Sequence, residues 1–148
     1  VDENQRPMFA SGSAVVQPSM RELLREIGSV LAEVPNRLTL EGHTDAAPFV
    51  GGALGYGNWE LSADRANASR RELMSGALPE DRMLRVQGLA ASLPFDAKDP
   101  PSAANRRISI IVMNREAEDR FFRSDLQAPP PVEEPPVSIE SIAPSLRR

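Results

Sequence analysis

The hydrophobic pattern between residues 19 and 113 changes several times from a helical period to a strand period, and this alternation limits the possible folds most. Apolar residues at positions i, i+3, i+4 and i+7 predict helices, whereas alternating apolar and polar residues predict strands. The predicted elements are a helix over 19–33, a strand over 37–42, a helix with Ser62 as its N-cap that ends before Gly76, strands over 84–89 and 107–113, and a charged helix over 114–124. Helices packed on one face of a mixed sheet satisfy this order, so we expect an α/β (α+β) sandwich.

The sheet is predicted to be small, because the pattern contains only three strong strands. Leu84 and Val86 are expected to face the helices from the second strand. Ile108, Ile110 and Val112 are expected to share one face of the third strand. The stretch 8–16 is the candidate for a further short edge strand.

Residues 124–148 differ in composition from the rest of the chain. They have no aromatic residue and no regular period, and they contain six prolines: Pro129, Pro130, Pro131, Pro135, Pro136 and Pro144. Such a segment cannot bury a core, so we expect a disordered or weakly ordered tail. A proline-rich ligand for a partner groove is the alternative. The whole chain contains no run of about 18 apolar residues, so it predicts no membrane-spanning helix.

Composition and motifs argue against several classes of function. The chain has no Cys and a single His, His43, which leaves no second ligand for a zinc site. No Gly-x-Ser-x-Gly elbow and no EF-hand spacing occurs, so we expect neither an enzyme nor a metal or cofactor site. A formal net charge of -4 makes a nucleic-acid partner unexpected.

Polar residues concentrate at the ends of the predicted elements. Asp45 follows the first strand, Asn58 and Arg65 lie around the start of the second helix, and Arg106 precedes the last strand. If the fold brings these ends together, Arg side chains could hold a carboxylate while the Asp holds an ammonium group. That arrangement fits a zwitterionic ligand, such as the amino-acid end of a diamino acid. The alternative is an Asp–Arg salt bridge with a purely structural role.

Several nearby residues allow a structural and a functional interpretation. His43 is expected to hydrogen-bond at the end of its strand. Tyr56 and Trp59 are expected to anchor the loop into the core, with contact to a sugar ring as the alternative. A further three acidic residues are expected to form a solvated helix face: Glu60, Asp64 and Glu72.

Separate blocks of these residues, in a fixed order, resemble one known family. The blocks are LEGHTD at 40–45, Asn-x-x-Leu-Ser-x-x-Arg-Ala at 58–66, Gly88, and NRRISI at 105–110. Together they resemble the OmpA-like peptidoglycan-binding domains. The run GYGNWELSADRANASRREL at 55–73 is similar, more narrowly, to the flagellar stator subunits of the MotB family.

The resemblance implies residue roles and a function. It implies that Asp45 and Arg65 clasp the diaminopimelate of a peptidoglycan stem peptide, with the Arg on a carboxylate and the Asp on an amino group. It implies supporting contacts from Asn58 and Arg106, and it implies that two further residues shape the pocket, Thr44 and Leu61. The implied function is non-catalytic anchoring of the flagellar motor stator to the cell wall. A cell-wall anchor of an OmpA- or Pal-type outer-membrane protein is the alternative.

The resemblance also implies an organisation and partners. We expect an N-terminal segment over 1–18 that is truncated relative to the family, the peptidoglycan-binding domain over 19–123, and the proline-rich tail over 124–148. The implied setting is the periplasmic part of an inner-membrane protein whose membrane segment is absent from this chain. The implied partners are peptidoglycan, the stator subunit MotA through that membrane segment, and a second copy in a homodimer.

Overall fold

The computed structural model describes residues 7–50 and 54–126, and over this range helices and strands alternate as the hydrophobic pattern predicts. The elements in chain order are α1 (Pro18–Ala32), β1 (Leu38–Gly42), α2 (Asn58–Ser75), β2 (Met83–Gly88), β3 (Ile108–Val112) and α3 (Arg115–Leu126). Single 3-10 turns precede β2 and β3, at Glu80–Arg82 and Ala103–Asn105. None of the helices in this described part is long and apolar enough to cross a membrane.

The sheet is mixed, with β1 in the centre. β1 runs parallel to β2 and antiparallel to β3. α2 packs against β1 and β2, and α1 packs against α2. The predicted sandwich of helices and a mixed sheet is confirmed.

One inward-facing residue of β2 differs from the expectation. The register shifts between Leu38 and Thr39 of β1, which pair with Met83 and Arg85 and so leave Leu84 without a partner. This irregularity breaks the strict alternation of the strand. Consequently β2 packs against the core through Met83 and Val86, whereas Leu84 was expected in the place of Met83.

The hydrophobic core is formed mainly by α1, α2, the central strand β1 and the segment before α1. Its most buried side chains include Phe9, Leu24, Leu38, Leu40 and Leu73. The stretch 8–16 forms no strand of the sheet, because its one antiparallel bridge, Phe9 with Val16, closes the segment on itself. This segment therefore belongs to the core, although it lies outside the predicted bounds 19–123.

α2 begins one turn earlier than expected, and the prediction of Ser62 as its N-cap is wrong. The N-cap is Gly57, whose N–H donates to the Glu60 carboxylate at 2.7 Å. Ser62 is fully buried in the second turn, where its hydroxyl donates to the Trp59 carbonyl and accepts from the Ala90 N–H. The prediction failed because the local sequence is the same for a Ser that caps a helix and for a Ser inside a helix that bonds to another segment.

One of the three acidic residues expected on a solvated face of α2 is partly buried and contacts another helix. Glu72 pairs with Arg25 at 2.9 Å and lies 3.6 Å from Arg21, so it links α2 to α1. Glu60 holds the N-terminal turn of α2, as described above. The prediction of a solvated position is therefore wrong for Glu72, whereas Glu60 is exposed as predicted.

Apart from its first residue, α3 belongs to a second unit of the chain, which begins at Glu116. Within it, Phe121 and Phe122 meet edge to face with their ring centroids 5.5 Å apart. The helix continues two residues past its predicted end, to Leu126. The rest of the predicted tail, 127–148, lies outside the described residues.

Candidate functional site

A cavity of about 170 Å³ lies where the first turns of α2 meet the loop after β1. Its lining includes four of the six predicted site residues: Asp45, Asn58, Leu61 and Arg65. Three of these share one face of α2, because positions 58, 61 and 65 are spaced three and four residues apart. The loop residues 47–50 and the pair Ser11 and Gly12 form the rest of the wall.

Arg65 is the largest fully buried side chain, with only 1% of its surface exposed. Its guanidinium donates to three backbone carbonyls, of Ser13 at 2.8 Å, His43 at 3.1 Å and Ala10 at 3.1 Å. One face of the group packs on the Phe9 ring, 5.1 Å from the centroid. These contacts fix the guanidinium against the cavity.

The positive charge of Arg65 is not neutralised by a direct ion pair with any acidic side chain that the structure describes. Burial lowers the pKa of Arg65 to about 10, and Asp45 opposes that shift. The group therefore stays charged at neutral pH. A buried cation whose direct partners are neutral carbonyls is stabilised further by an anionic ligand, because a charge that water does not solvate gains most from a direct ion pair.

Asp45 forms the internal salt bridge that the sequence left open, and its partner is Arg106. Its carboxylate accepts from the Arg106 guanidinium at 3.0 Å and from the Ala47 N–H at 3.1 Å. Arg106 also donates to the Phe9 carbonyl. Arg106 does not line the cavity itself. It instead orients the carboxylate that does.

The remaining predicted residues take different positions. Asn58 donates to the Ala47 carbonyl at 2.9 Å and so ties α2 to the loop after β1. Leu61 is buried in the cavity wall. Thr44 is buried beside Asp45 but is not a lining residue, and its backbone N–H donates to the Ala90 carbonyl.

Two contributors to the site were missed by the sequence analysis. The turn over 10–13 supplies Ser11 and Gly12 to the wall and the carbonyls of Ala10 and Ser13 to Arg65. Gly12 has a φ of 66°, a conformation that favours glycine. The glycine itself was therefore the only local sequence signal for this turn.

The second missed contributor is the buried side chain of Asn105. Its amide nitrogen lies within hydrogen-bond distance of the carbonyls of Asp96, Asp99 and Pro100, and the Pro100 carbonyl also accepts from the Ala46 N–H. Asn105 therefore braces the loop that supports Asp45. Its place directly before Arg106 was the signal that could have indicated it.

His43 hydrogen-bonds at the end of its strand, as predicted. Its Nε2 lies 3.2 Å from the Ser109 hydroxyl. Burial and the charge of Arg107 lower its pKa, although Glu41 opposes them. The described residues contain no cluster of His, Asp and Glu that could hold a metal ion.

The two aromatic residues of the loop behave differently from each other. Tyr56 packs on Phe49 with the ring centroids 5.2 Å apart, and its hydroxyl donates to Asp64. Asp64 is exposed, as expected, and this hydrogen bond also ties the loop to α2. Trp59 is 60% exposed, so the prediction that it anchors the loop into the core is wrong. Trp59 lies in the first turn of α2, and its side chain is largely in solvent.

The Tyr56–Asp64 contact makes a spectroscopic prediction, because Tyr56 is the chain's single tyrosine. The hydrogen bond to Asp64 is the largest cause that raises the pKa of Tyr56 from 10.0 to about 12. The neutral phenol is the form that the fold favours. Its stabilising contribution is therefore complete below pH 10 and is lost as the pH rises toward 12. An absorbance titration at alkaline pH should show one phenolate transition near pH 12.

The matched variants are Asp64→Ala and Asp81→Ala, since Asp81 is an exposed acid elsewhere in the chain. Asp64→Ala should move the transition toward pH 10, and Asp81→Ala should leave it in place. Circular dichroism at each pH confirms that the fold persists. A transition that stays near 12 in Asp64→Ala would mean that the hydrogen bond is not its cause.

The arrangement suits binding. A guanidinium and a carboxylate face the same cavity without being each other's partner. The guanidinium can hold a carboxylate with two parallel hydrogen bonds, and the free lone pairs of Asp45 can accept from an ammonium group.

The chain matches the OmpA family over residues 8–107. It is 51% identical over 128 residues to Motility protein B of Escherichia coli K12, a match that covers 86% of this chain and 42% of that protein. The chain thus spans less than half the length of this curated relative. Its fold is similar to the periplasmic domain of Helicobacter pylori MotB, with a TM-score of 0.64 and 18% identity over 82% of this chain and 78% of that one.

A second solved structure is similar at higher identity. It is the peptidoglycan-associated lipoprotein from Burkholderia pseudomallei, with a TM-score of 0.57 and 25% identity. That match covers 72% of this chain and 88% of the lipoprotein.

Proposed function

The chain belongs to the OmpA family, and from that premise we propose that it binds peptidoglycan without catalysis, through the diaminopimelate of a stem peptide. Diaminopimelate ends in a carboxylate and an ammonium group on one carbon, so it presents the two charges for which the cavity has partners. Arg65 takes the carboxylate and Asp45 takes the ammonium group.

The observation that carries this proposal is the buried charge of Arg65, which forms no direct ion pair with a described acidic residue. A guanidinium has five N–H donors, of which backbone carbonyls occupy three. The two that remain match the two oxygens of one carboxylate. The role of Arg106 is to orient the Asp45 carboxylate, and Asn58 holds the loop after β1 in place.

We extend the proposal to anchoring of a flagellar motor stator to the cell wall. The similarity to Motility protein B supports it, because that similarity reaches 51% identity and covers most of this chain. In this proposal the chain is the periplasmic part of an inner-membrane protein, acts as a homodimer, and pairs with MotA through a membrane segment. The binding cavity is its load-carrying contact with the wall.

A cell-wall anchor of the OmpA or Pal type is the second candidate. The similarity to a peptidoglycan-associated lipoprotein favours it. Both candidates use the same cavity and differ in the membrane to which the domain is attached. Fusion of this chain to the membrane segment of a stator subunit distinguishes them, because only the stator assignment predicts restored motility in a strain that lacks that subunit.

The cavity assignment is tested by a sacculus pull-down of wild type and Asp45→Asn. The substitution keeps the size of the side chain and an oxygen for the Ala47 N–H, but it removes the charge that faces the ammonium group. Hydrogen bonds to charged groups contribute about 1.5–3 kcal/mol, so affinity should fall roughly tenfold to a hundredfold.

Asp81→Asn is the matched control, because it makes the same chemical change at an exposed position outside the cavity. It should sediment with sacculi as wild type does. Equal sedimentation of all three proteins would rule out Asp45 as a ligand. Circular dichroism of Asp45→Asn separates loss of binding from loss of the fold.

A further inference from the structure

His43 is a buried titratable group to which the proposed function gives no role. It is the only histidine of the chain, and 2% of its surface is exposed. Histidine is the side chain that ordinarily changes its charge between about pH 5 and pH 8. A buried histidine that also contacts a ligand-binding side chain can therefore couple ligand binding to pH.

The backbone of His43 connects the sheet to Arg65. Its N–H donates to the Arg107 carbonyl at 2.9 Å, which continues the pairing between the end of β1 and the segment before β3. Its carbonyl accepts from the Arg65 guanidinium at 3.1 Å. The position of this strand end therefore helps to fix the guanidinium that takes the ligand carboxylate in the proposed function.

The surroundings of the His43 ring suit the neutral imidazole. Nε2 lies 3.2 Å from the Ser109 hydroxyl oxygen, which also accepts a hydrogen bond from the Arg107 guanidinium. Nδ1 is buried and has no hydrogen-bond partner among the described residues. A neutral ring can carry its single proton on Nε2, donate to Ser109 and leave Nδ1 bare, whereas the imidazolium carries an N–H on both nitrogens. Protonation therefore requires a buried donor at Nδ1 that no described group accepts, which is unfavourable.

The charges around the ring oppose protonation on balance. Arg107 is a cation beside the ring, and α2 adds Arg65 on the His43 carbonyl. The one facing acid is Glu41, whose carboxylate lies 4.0 Å from Nε2 and accepts from Gln87 of β2 at 2.7 Å. Burial is the largest cause that lowers the pKa of His43, the charge of Arg107 lowers it further, and Glu41 opposes both.

We infer that His43 is a positioning residue that makes peptidoglycan binding dependent on pH, because only its neutral ring leaves the end of β1 where the His43 carbonyl supports Arg65. This inference rests on the proposed function. An imidazolium must turn away from Arg107 or draw Glu41 and water toward it, and either change shifts the strand end that holds Arg65. Coupling between two sites is reciprocal, so a ligand that requires the supported Arg65 must also make His43 harder to protonate.

The direction of the pH effect follows from the form that the fold favours. The unfolded chain protonates His43 near the ordinary pKa of about 6.5, whereas the folded chain does so only at lower pH. The contribution of the neutral ring is therefore complete above about pH 6.5 and is lost as the pH falls below it. Binding should weaken over the same range.

The test measures the affinity for the tripeptide L-Ala-D-Glu-diaminopimelate by calorimetry between about pH 5 and pH 7.5, where histidine titrates. Wild type should bind roughly fivefold or more weakly at the acid end, the lower limit of typical couplings between linked sites. His43→Gln keeps a polar amide but cannot titrate, so its affinity should stay constant over this range. Circular dichroism at each pH separates loss of binding from loss of the fold.

Glu41→Gln shifts the expected profile without removing the histidine. It keeps an oxygen for the Gln87 amide but removes the acid that favours the imidazolium, so the loss of binding should begin at a lower pH than in wild type. Glu22→Gln is the matched control, because it makes the same change at an exposed position of α1. Its profile should follow that of wild type.

The single histidine also provides a measurement that needs no variant. The imidazole C–H resonance in an NMR titration of wild type reports the pKa of His43 directly, and saturating tripeptide should lower it. A residue with a merely structural role would titrate identically with and without the ligand.

Each contrary result has a separate meaning. If wild type and His43→Gln show the same pH profile, or if the tripeptide leaves the His43 titration unchanged or raises its pKa, the inference is wrong and the proposed function stands. If His43→Gln does not fold, the NMR titration decides. If wild type does not bind the tripeptide at any pH, the proposed function fails and the inference fails with it.

Discussion

Replacement of Arg65 by Lys should reduce binding to sacculi by about a hundredfold or more while the protein stays folded. Lysine keeps the positive charge, but its ammonium has three donors and no planar fork. The three backbone carbonyls that Arg65 holds compete with the ligand for these donors. The ligand carboxylate then loses two charge-assisted hydrogen bonds of about 1.5–3 kcal/mol each, and every 1.4 kcal/mol is tenfold in affinity.

Arg65→Ala should fail in a different way. It leaves the same three carbonyls without donors, at about 1–3 kcal/mol each, and it empties a fully buried volume. That sum is a large part of the 5–15 kcal/mol by which domains are usually stable. The Ala variant should therefore melt far below wild type or fail to fold, so the Lys variant is the informative one.

The measurement is the fraction of protein that sediments with purified sacculi, with thermal melts of each variant. Arg120→Lys is the matched control, because Arg120 forms an exposed ion pair with Glu116 in α3. This variant should leave both quantities unchanged. Undiminished sedimentation of Arg65→Lys would show that charge alone is sufficient and that the bidentate carboxylate contact is not formed.

The helices, the strands and four of the residues that line the cavity could be predicted from the sequence, because these features depend on local patterns. The 3.6-residue and two-residue periods predicted α1, β1 and β3 within a few residues. Asp45 and Arg65 were predicted to share a pocket from their places at element ends, and both line the cavity.

What escaped prediction depends on contacts between distant parts of the chain. The choice of Arg106 as partner of Asp45 joins residues 61 positions apart, and no local pattern encodes it. The carbonyls of Ala10 and Ser13 were missed because a backbone group that orients a side chain leaves no trace in residue type. Ser62 was misassigned because its partner, the Ala90 N–H, lies 28 positions away.

A large loss of stability should follow from adding one methyl group at Gly42. A Cβ at this position would lie 1.8 Å from the Ser62 carbonyl oxygen, a distance that only a shift of the backbone can relieve. Overpacking of a core costs about 1–3 kcal/mol when side chains can adjust, and more when they cannot. We expect Gly42→Ala to lose at least about 3 kcal/mol and to lower the melting temperature by about 10 °C or more.

Gly42→Ala should also weaken binding to sacculi, because α2 carries both Ser62, which the new methyl group would meet, and Arg65. Displacement of Ser62 from β1 moves the guanidinium, which lies one turn further along the helix. Gly57→Ala is the control, because its Cβ would meet only the flexible end of Glu60 at 3.7 Å. That variant should cost about 1 kcal/mol or less, as expected for an N-cap change.

Gly88 extends the prediction to a pair. It is the register partner of Gly42 across β1 and β2, and its Cβ would lie 2.4 Å from the Ser62 hydroxyl oxygen and 2.5 Å from the Ala63 nitrogen. Both substitutions therefore push the same turn of α2 off the sheet. Once one has displaced the helix, the second meets less resistance, so the double variant should lose less stability than the sum of the two single losses. Strict additivity in chemical denaturation would show that the two glycines do not form one shared contact surface for α2.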